Sequence, residues 1–595
     1  MRRQLIALSA SLPLLALACG GDTAASDDTA ATAPDVAVDT ADPVDTTSED
    51  TTPPIDCAPY AYDFRTLVPG PCEAGHDAQL ADLALRYERS FHVFSAAALG
   101  GNADVTFAVE DTAHREAIAA FLRDSDGWDF EAETGLDPVG IATTTRKVTG
   151  LYAGVGIAAD AFRYAVLRDQ GYPTAEVDRA RGFLLDGLEL LHVATEITGV
   201  HGGLARSVGR KDLPGDGQIP LVPLFDDNGT ALPDPKNNGA WRADNSEGGQ
   251  YPELVWEDSC SRDMALGWVT AYGAAWEAIA EDPAVDAAVK SRLRADAKAI
   301  GEHLRTVRES GYDLEIHDPD GRRTMHGCLN EHNFDCQAYL PFVDNGFHAV
   351  MALGMVGALA YASGDPELAS YLNDELIAER GLPGMLLEDV VLNTDVGYET
   401  NFSGVNMTFG GALLALRYVD DPAAREVLRE AVDTHVYHRD GAVWQPADMG
   451  QSLFDFVYAL ASTGGSASVG PTDAPDADAV ARGVATLAAF PEPPFWDEAV
   501  TSCPDAVCDC DHVNVPEGAE TCTLADGSTV EVLGCRGRGC ALITKTPIPK
   551  ALRPPSNYDW RSSPFRPNGG GDGAALLPGV DFRFAYWLGR YLRVP

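Results

Sequence analysis

Apolar residues recur at helical spacing through most of the chain beyond residue 75. In 76–98, Leu80, Leu83, Leu85, Tyr87, Phe91 and Phe94 keep that spacing, which predicts an amphipathic helix. Similar patterns cover about 111–124, 140–170 and 176–198, the last closing on TGVHGGLARS, where paired glycines stop a helix. The stretch 261–281 places Met264, Trp268 and Tyr272 four residues apart, with Ala265, Gly267, Ala271 and Ala275 beside them. Helical patterns continue over 284–309, 343–364, 366–379, 407–418, 421–436, 449–464 and 581–593. Strand-like alternation is scarce before residue 500. Roughly a dozen helices therefore alternate between small-residue, apolar ones and more charged ones. Helices apolar on several sides belong inside and amphipathic ones outside, so the expected architecture is a closed ring of hairpins. An open helical stack is the alternative.

Polar crossings interrupt this rhythm. Residues 208–256 are rich in Gly, Pro, Asp and Asn, and loops of that length inside compact domains are usually functional or disordered. We read this one as a rim. It delivers the chain to Glu257, Asp258, Ser259, Ser261, Arg262 and Asp263, which lead straight into the 261–281 helix. Ser259 and Ser261 are acceptable N-caps, and acids in a first turn suit the positive end of the helix dipole. Either these acids only cap a buried helix, or the helix points them into a cavity.

The hairpin rhythm, the WEDSCSRD helix entrance, the DPDGRRTMHG turn and the closing WRSSPFR…AYWLGRY segment together resemble the six-hairpin glycosidase-like toroids. The resemblance covers about 75–595 with one interruption. It implies an all-α fold, an (α/α)6 toroid of helical hairpins carrying a small cysteine-rich, β-containing insert at about 500–545. It also implies a carbohydrate-active enzyme, with loops at one mouth converging on a central cavity.

Glycoside hydrolysis uses two carboxyl groups, one protonated and one ionised, across the scissile bond. The catalytic candidates are Asp263, Asp258 or Glu257, paired with Glu399. Candidates for sugar contact are Arg206, Trp256, Arg262, His326, Asn330, His348, Tyr398, Asn401 and Trp560, because aromatics stack on sugar rings while Asn, Arg and His bond hydroxyls. Each also has a structural reading: an ion pair for Asp263, a turn for Glu399, core hydrogen bonds for the histidines, packing for Trp560. A lyase would instead remove a proton beside a uronate, with His326, Tyr398, Asn401 and Arg206 in those parts. A non-catalytic glycan- or protein-binding lipoprotein is the reading from another class. DPDG (318–321) and DDNG (226–229) resemble calcium turns without the full loop pattern, so they read as plain turns, with calcium the lesser alternative. No other cofactor is implied.

Charge narrows the partners. With 90 acidic against 43 basic residues the net charge is −47, which argues against nucleic acid and anionic membrane surfaces. It favours neutral glycans over polyanionic ones. Arg2 and Arg3 precede an apolar segment ending at Cys19, so 1–19 reads as an export signal and ALAC resembles a bacterial lipobox with Cys19 lipidated. Residues 20–56, nearly all Asp, Thr, Ala, Ser, Pro, Val and Gly, read as a disordered linker to a body at 57–595. The expected location is the bacterial cell envelope, lipid-anchored, facing periplasm or exterior, with membrane contact through the anchor alone. Six cysteines between Cys503 and Cys540 read as disulfides, zinc being the rival that lacks its usual CxxC spacing. Cys57 with Cys72, and Cys328 with Cys336, look like local loops, which leaves Cys260 as the candidate free thiol.

Overall fold

Six helices rich in alanine, glycine and bulky apolar residues stand side by side and close on themselves. The computed structural model describes residues 65–213, 220–226, 228–232, 239–334, 338–342, 344–389, 400–439, 442–504, 521–536 and 541–595, with positions 55, 57, 336 and 508. The expected export signal, Cys19 and nearly all of the linker lie outside these residues. In chain order the α-helices are α1 Ala78–Ser90, α2 Thr112–Asp124, α3 Phe130–Thr134, α4 Gly150–Asp169, α5 Thr174–Glu196, α6 Arg262–Ile279, α7 Ala287–Arg305 and α8 Gly346–Ser363. They continue as α9 Pro366–Ser370, α10 Leu382–Asp389, α11 Phe402–Tyr418, α12 Pro422–Ala431, α13 Ser452–Thr463, α14 Ala477–Ala488 and α15 Val580–Tyr591.

The inner ring is α4, α6, α8, α11, α13 and α15. Each packs on the next, and α15 packs back on α4, so the ring is closed. Outside it run α1, α5, α7, α9 with α10, α12 and α14, which alternate with the inner helices along the chain. This is the (α/α)6 architecture. A helix apolar all round must be enclosed. In α8 every residue but Tyr361 is buried. By length and composition α8 could cross a membrane, yet 89% of it is covered by the protein's own core. The outer helix α14 is absent from the sequence expectation, because its short ADAVARGVATLA pattern follows a Gly/Pro/Asp-rich run.

Glycine lets α4 and α6 touch backbone to backbone. A Cβ on Gly154 would sit 2.0 Å from the carbonyl oxygen of Gly267, and one on Gly267 would sit 2.4 Å from Leu151 Cα. Backbone cannot move aside as a side chain can. Gly154→Ala is therefore expected to cost about 3 kcal/mol, the top of the range for overpacked cores. Urea unfolding checks this, and a cost under about 1 kcal/mol would show that the two helices can part.

One correction concerns strands. Seven short antiparallel strands form a single sheet, in the order Trp496–Thr501, Asn568–Leu576, Ala103–Thr106, Thr144–Thr149, Ser207–Arg210, Leu254–Glu257, Trp241–Ala243. Thr144–Thr149, Leu254–Glu257 and Asn568–Leu576 end just before α4, α6 and α15, so the sheet lies at the N-terminal end of the inner ring. These strands are short and pair across long sequence distances, so no local alternation announces them. The opening strand Arg65–Thr66 pairs with the closing strand Arg593–Val594, and α1 packs on α15.

The cysteine-rich insert carries a three-stranded sheet, Thr521–Thr523, Thr529–Arg536 and Ala541–Thr544. Disulfides join Cys503 to Cys522 and Cys508 to Cys535, around a small core with Val532 and Leu542. Cys57–Cys72 and Cys328–Cys336 are also disulfides, and Cys260 is a buried free thiol. Cys510 and Cys540 lie outside the described residues.

Candidate active site

The inner helices run parallel, so their N-termini gather at one mouth. Ser259 has φ +61°, and its N–H donates to Asp318 Oδ1 at 2.9 Å. This turn swings the chain from the strand Leu254–Glu257 into α6, whose first turn carries Asp263. The Asp263 carboxylate accepts from the Ser261 hydroxyl and faces Arg561 Nη2 at 3.8 Å. Its side chain is 14% exposed. Burial alone would raise its pKa, but Arg561, the Ser261 hydrogen bond, Arg206 and Arg262 together hold it below the usual value, so it stays ionised. Arg206 Nη1 donates to the Ser259 carbonyl and to Ser261 Oγ, both at 3.2 Å.

Arg561 ties three inner helices together at this mouth. Besides facing Asp263 of α6, it donates to the Tyr152 hydroxyl of α4 at 2.7 Å and to Ser403 Oγ of α11 at 3.1 Å. Beside it lies a cavity of about 340 Å³, lined among others by Thr400, Asn401, Trp444, Arg553, Arg561 and Arg566. Asn401 lines the cavity and also caps α11, its Oδ1 accepting from Ser403 N at 3.2 Å. Tyr152, Ser403 and Trp444 escape a sequence reading, since nothing local marks them.

Several sequence candidates are structural. Asp258 is fully buried, gripped by Arg242 through Nε at 2.8 Å and through Nη2, with Ala240 N at 2.7 Å and Arg322 at 3.3 Å. Glu257, 5% exposed, accepts from Lys147 at 2.5 Å and Ser207 at 2.9 Å. Neither carboxylate faces the mouth freely, because Lys147 holds Glu257 and Arg242 with Arg322 holds Asp258. Trp256 is wholly buried, its indole N–H donating to the Ala243 carbonyl at 2.8 Å. Trp560, 1% exposed, packs edge-on against Tyr558 and Phe584. Neither ring has a face to offer a sugar. Asn330 is buried, donating to Asp313 Oδ1 at 2.9 Å. His326 is half-buried on the strand Arg323–Cys328, and Tyr398 and Glu399 lie outside the described residues.

The two calcium-like turns are held internally. Asp226 Oδ1 accepts from the backbone of Asn228 and Thr230 at 2.8 Å each. In the other, Arg322 supplies the positive charge to Asp318 at 3.1 Å and Asp320 at 3.3 Å. Burial and then the Asp258 charge push Asp318 up to about 7.

Arg262 reaches across to α8. Its Nη1 donates to His348 Nε2 at 3.0 Å, while His348 Nδ1 faces the Asn330 carbonyl at 3.1 Å. That pair of contacts requires a neutral ring with its proton on Nδ1. Burial, then Arg262, drops the His348 pKa to about 3. The unfolded ring takes a proton near 6.5 and the folded one only near 3, so this stability is full above pH 6.5 and is lost as pH falls. His348→Gln should flatten the decline between pH 6.5 and 3 by about 1.4 kcal/mol per pH unit in mid-window. Urea midpoints against pH measure it, and an unchanged slope would mean the ring protonates in place.

No family model matches the chain, and no curated protein matches it. Among solved structures, the cellulase Cel9M of C. cellulolyticum is similar at TM-score 0.35 and 11% identity, covering 87% of this chain and 99% of that one. AaCel9A in complex with cellobiose-like isofagomine is similar at TM-score 0.32 and 13% identity, over 69% of this chain and 66% of that chain. A single mutant of the thermostable endoglucanase from Alicyclobacillus acidocaldarius gives 0.34 and 13%, over 87% and 85%. Likeness at this level leaves the reaction of this chain open.

Proposed function

We propose that the chain is a carbohydrate-active enzyme, a glycoside hydrolase in which Asp263 is the ionised carboxylate and Glu399 the partner acid. The observation that carries this is an ionised carboxylate at the mouth of a closed helical ring, backed by Arg206, Ser261 and Arg561. An ionised group there can activate water or attack an anomeric carbon, while a second carboxyl protonates the leaving oxygen. Thr400, next in the chain to Glu399, lines the adjoining cavity. Incubating the full chain with a panel of oligo- and polysaccharides, alongside Asp263→Asn and Glu399→Gln, tests it. Product from the parent and none from either variant is expected; equal product from all three would end the proposal.

A second reading is a lyase acting on an acidic glycan. It is favoured by Arg553, Arg561 and Arg566 around the cavity of a strongly acidic chain. Arg553 is committed to Asp559 and to backbone carbonyls, which weakens that case. The ultraviolet absorbance of an unsaturated product separates the two. We also propose that Cys19 tethers the enzyme to the cell envelope. Cys19→Ser should move it from the membrane fraction to the soluble one, and unchanged fractionation would remove the tether.

A further inference from the structure

Away from Asp263, the outer helices α5 and α7 bring a second chemically distinct group together. His192 and Glu196 stand one turn apart on α5 and so share a face, and Asp296 meets them from α7. One donor atom from each of the three lies within 4.8 Å of the others. His201, in the turn that follows α5, completes the set. Asp296 Oδ2 lies 2.9 Å from His192 Nδ1, Asp296 Oδ1 lies 3.1 Å from His201 Nε2, and Glu196 Oε1 lies 3.4 Å from that same nitrogen.

Two imidazoles and two carboxylates are a zinc-type donor set, whereas calcium and magnesium favour oxygen alone. Tetrahedral zinc bonds place donors about 3.4 Å apart, so an ion would draw His192, Glu196 and Asp296 inward from their present spacing, and His201 would close on it from its contacts with Glu196 and Asp296. No arginine or lysine pairs with Glu196 or Asp296 among the described residues, so only the two histidines, when protonated, balance these carboxylates. The other His-carboxylate group, Glu88 with His92 and Asp160, provides the contrast. There the Arg583 guanidinium donates to both carboxylates and already takes the cation's place. The His201 side chain is 45% exposed, so an ion can enter from solvent.

We propose that His192, Glu196, His201 and Asp296 form a binding site for a zinc-class divalent ion that clamps α5 to α7. The ion takes the nitrogen lone pairs and releases any protons now shared between histidine and Asp296. The turn it fixes runs on through Ala205, whose N–H donates to the Ala194 carbonyl and whose own carbonyl accepts from Trp268, to Arg206. The clamp would thus steady a side chain at the mouth while lying outside it.

The test uses the purified full chain, stripped with EDTA and titrated with zinc chloride against a chromophoric chelator. One zinc per chain is expected, with a rise of about 2–5 °C in Tm at saturating zinc. His192→Gln/His201→Gln should weaken binding at least tenfold and abolish the rise, whereas His438→Gln, at a half-buried histidine away from the site, should bind as the parent does. X-ray absorption at the zinc edge should show nitrogen and oxygen ligands with no sulfur. If the double variant does not fold, His201→Gln alone carries the same expectation. Absent binding in the parent, undiminished binding in the variants, or sulfur ligation would overturn the site.

Discussion

Asp263→Asn is expected to lower glycan cleavage by about a thousandfold, within the 10²–10⁴ span of a general acid–base contribution, while KM changes little. The amide matches the carboxylate in shape, so Ser261 and Arg561 keep a partner, but it can neither accept a proton nor attack carbon. The parent carboxylate is held below the ordinary range because Arg561, Ser261, Arg206 and Arg262 outweigh its burial. The acid limb of the kcat/KM profile should accordingly fall below the usual aspartate value of about 3.9. Steady-state kinetics on whichever glycan the panel identifies decides it. A variant that keeps more than about a tenth of the parent rate would leave Asp263 a capping and pairing residue only.

The second large effect concerns stability. Arg583 of α15 is fully buried and reaches two other elements at once. Its Nε and Nη2 donate to Glu88 of α1 at 2.7 and 2.9 Å, and Nη2 donates to Asp160 of α4 at 2.5 Å. Phe91 lies beneath the guanidinium at 3.8 Å. The indole of Trp587 also donates to Glu88 at 2.8 Å. Burial alone would lift the Glu88 pKa, yet Arg583 and Arg163 hold it well below the usual value. That stability is full above the unfolded pKa near 4.5 and is lost as pH falls through the folded value. Arg583→Met keeps much of the volume but leaves the carboxylates with Arg163, 3.6 Å from Glu88, and His92, 3.3 Å from Glu88 and 3.0 Å from Asp160, in place of the guanidinium's direct hydrogen bonds. The expected cost is about 3–5 kcal/mol, read from urea unfolding at pH 7. A cost below about 1 kcal/mol would show that the network contributes little.

The helical frame was legible because its signal is local. The apolar face of 261–281, repeating every fourth residue, and the enclosed α8 need no distant partner to be recognised, and ring closure followed from their alternation. The site was legible only in part. Asp263 could be placed because a helix start is readable, whereas its neighbours Glu257 and Asp258 could not be told apart from it. What separates them is Lys147, at a sequence distance of 110, and Arg242 and Arg322 across strands and turns that no periodicity marks. The same holds for Trp256, which looks like a stacking platform in sequence but is sealed beneath the sheet. Tyr152 and Ser403 become partners of Arg561 only after residues 409 and 158 positions away are brought to one mouth.

The pairing of Arg65–Thr66 with Arg593–Val594 has a bearing on biosynthesis. The barrel's seam joins the first described strand to the last, and its lock, Arg583, arrives only with the final helix. The earliest hairpins must therefore wait, made but unsealed, until the segment through Val594 has joined them. A chain shortened by even its last twenty residues should remain an open, protease-sensitive intermediate instead of a smaller version of the finished molecule.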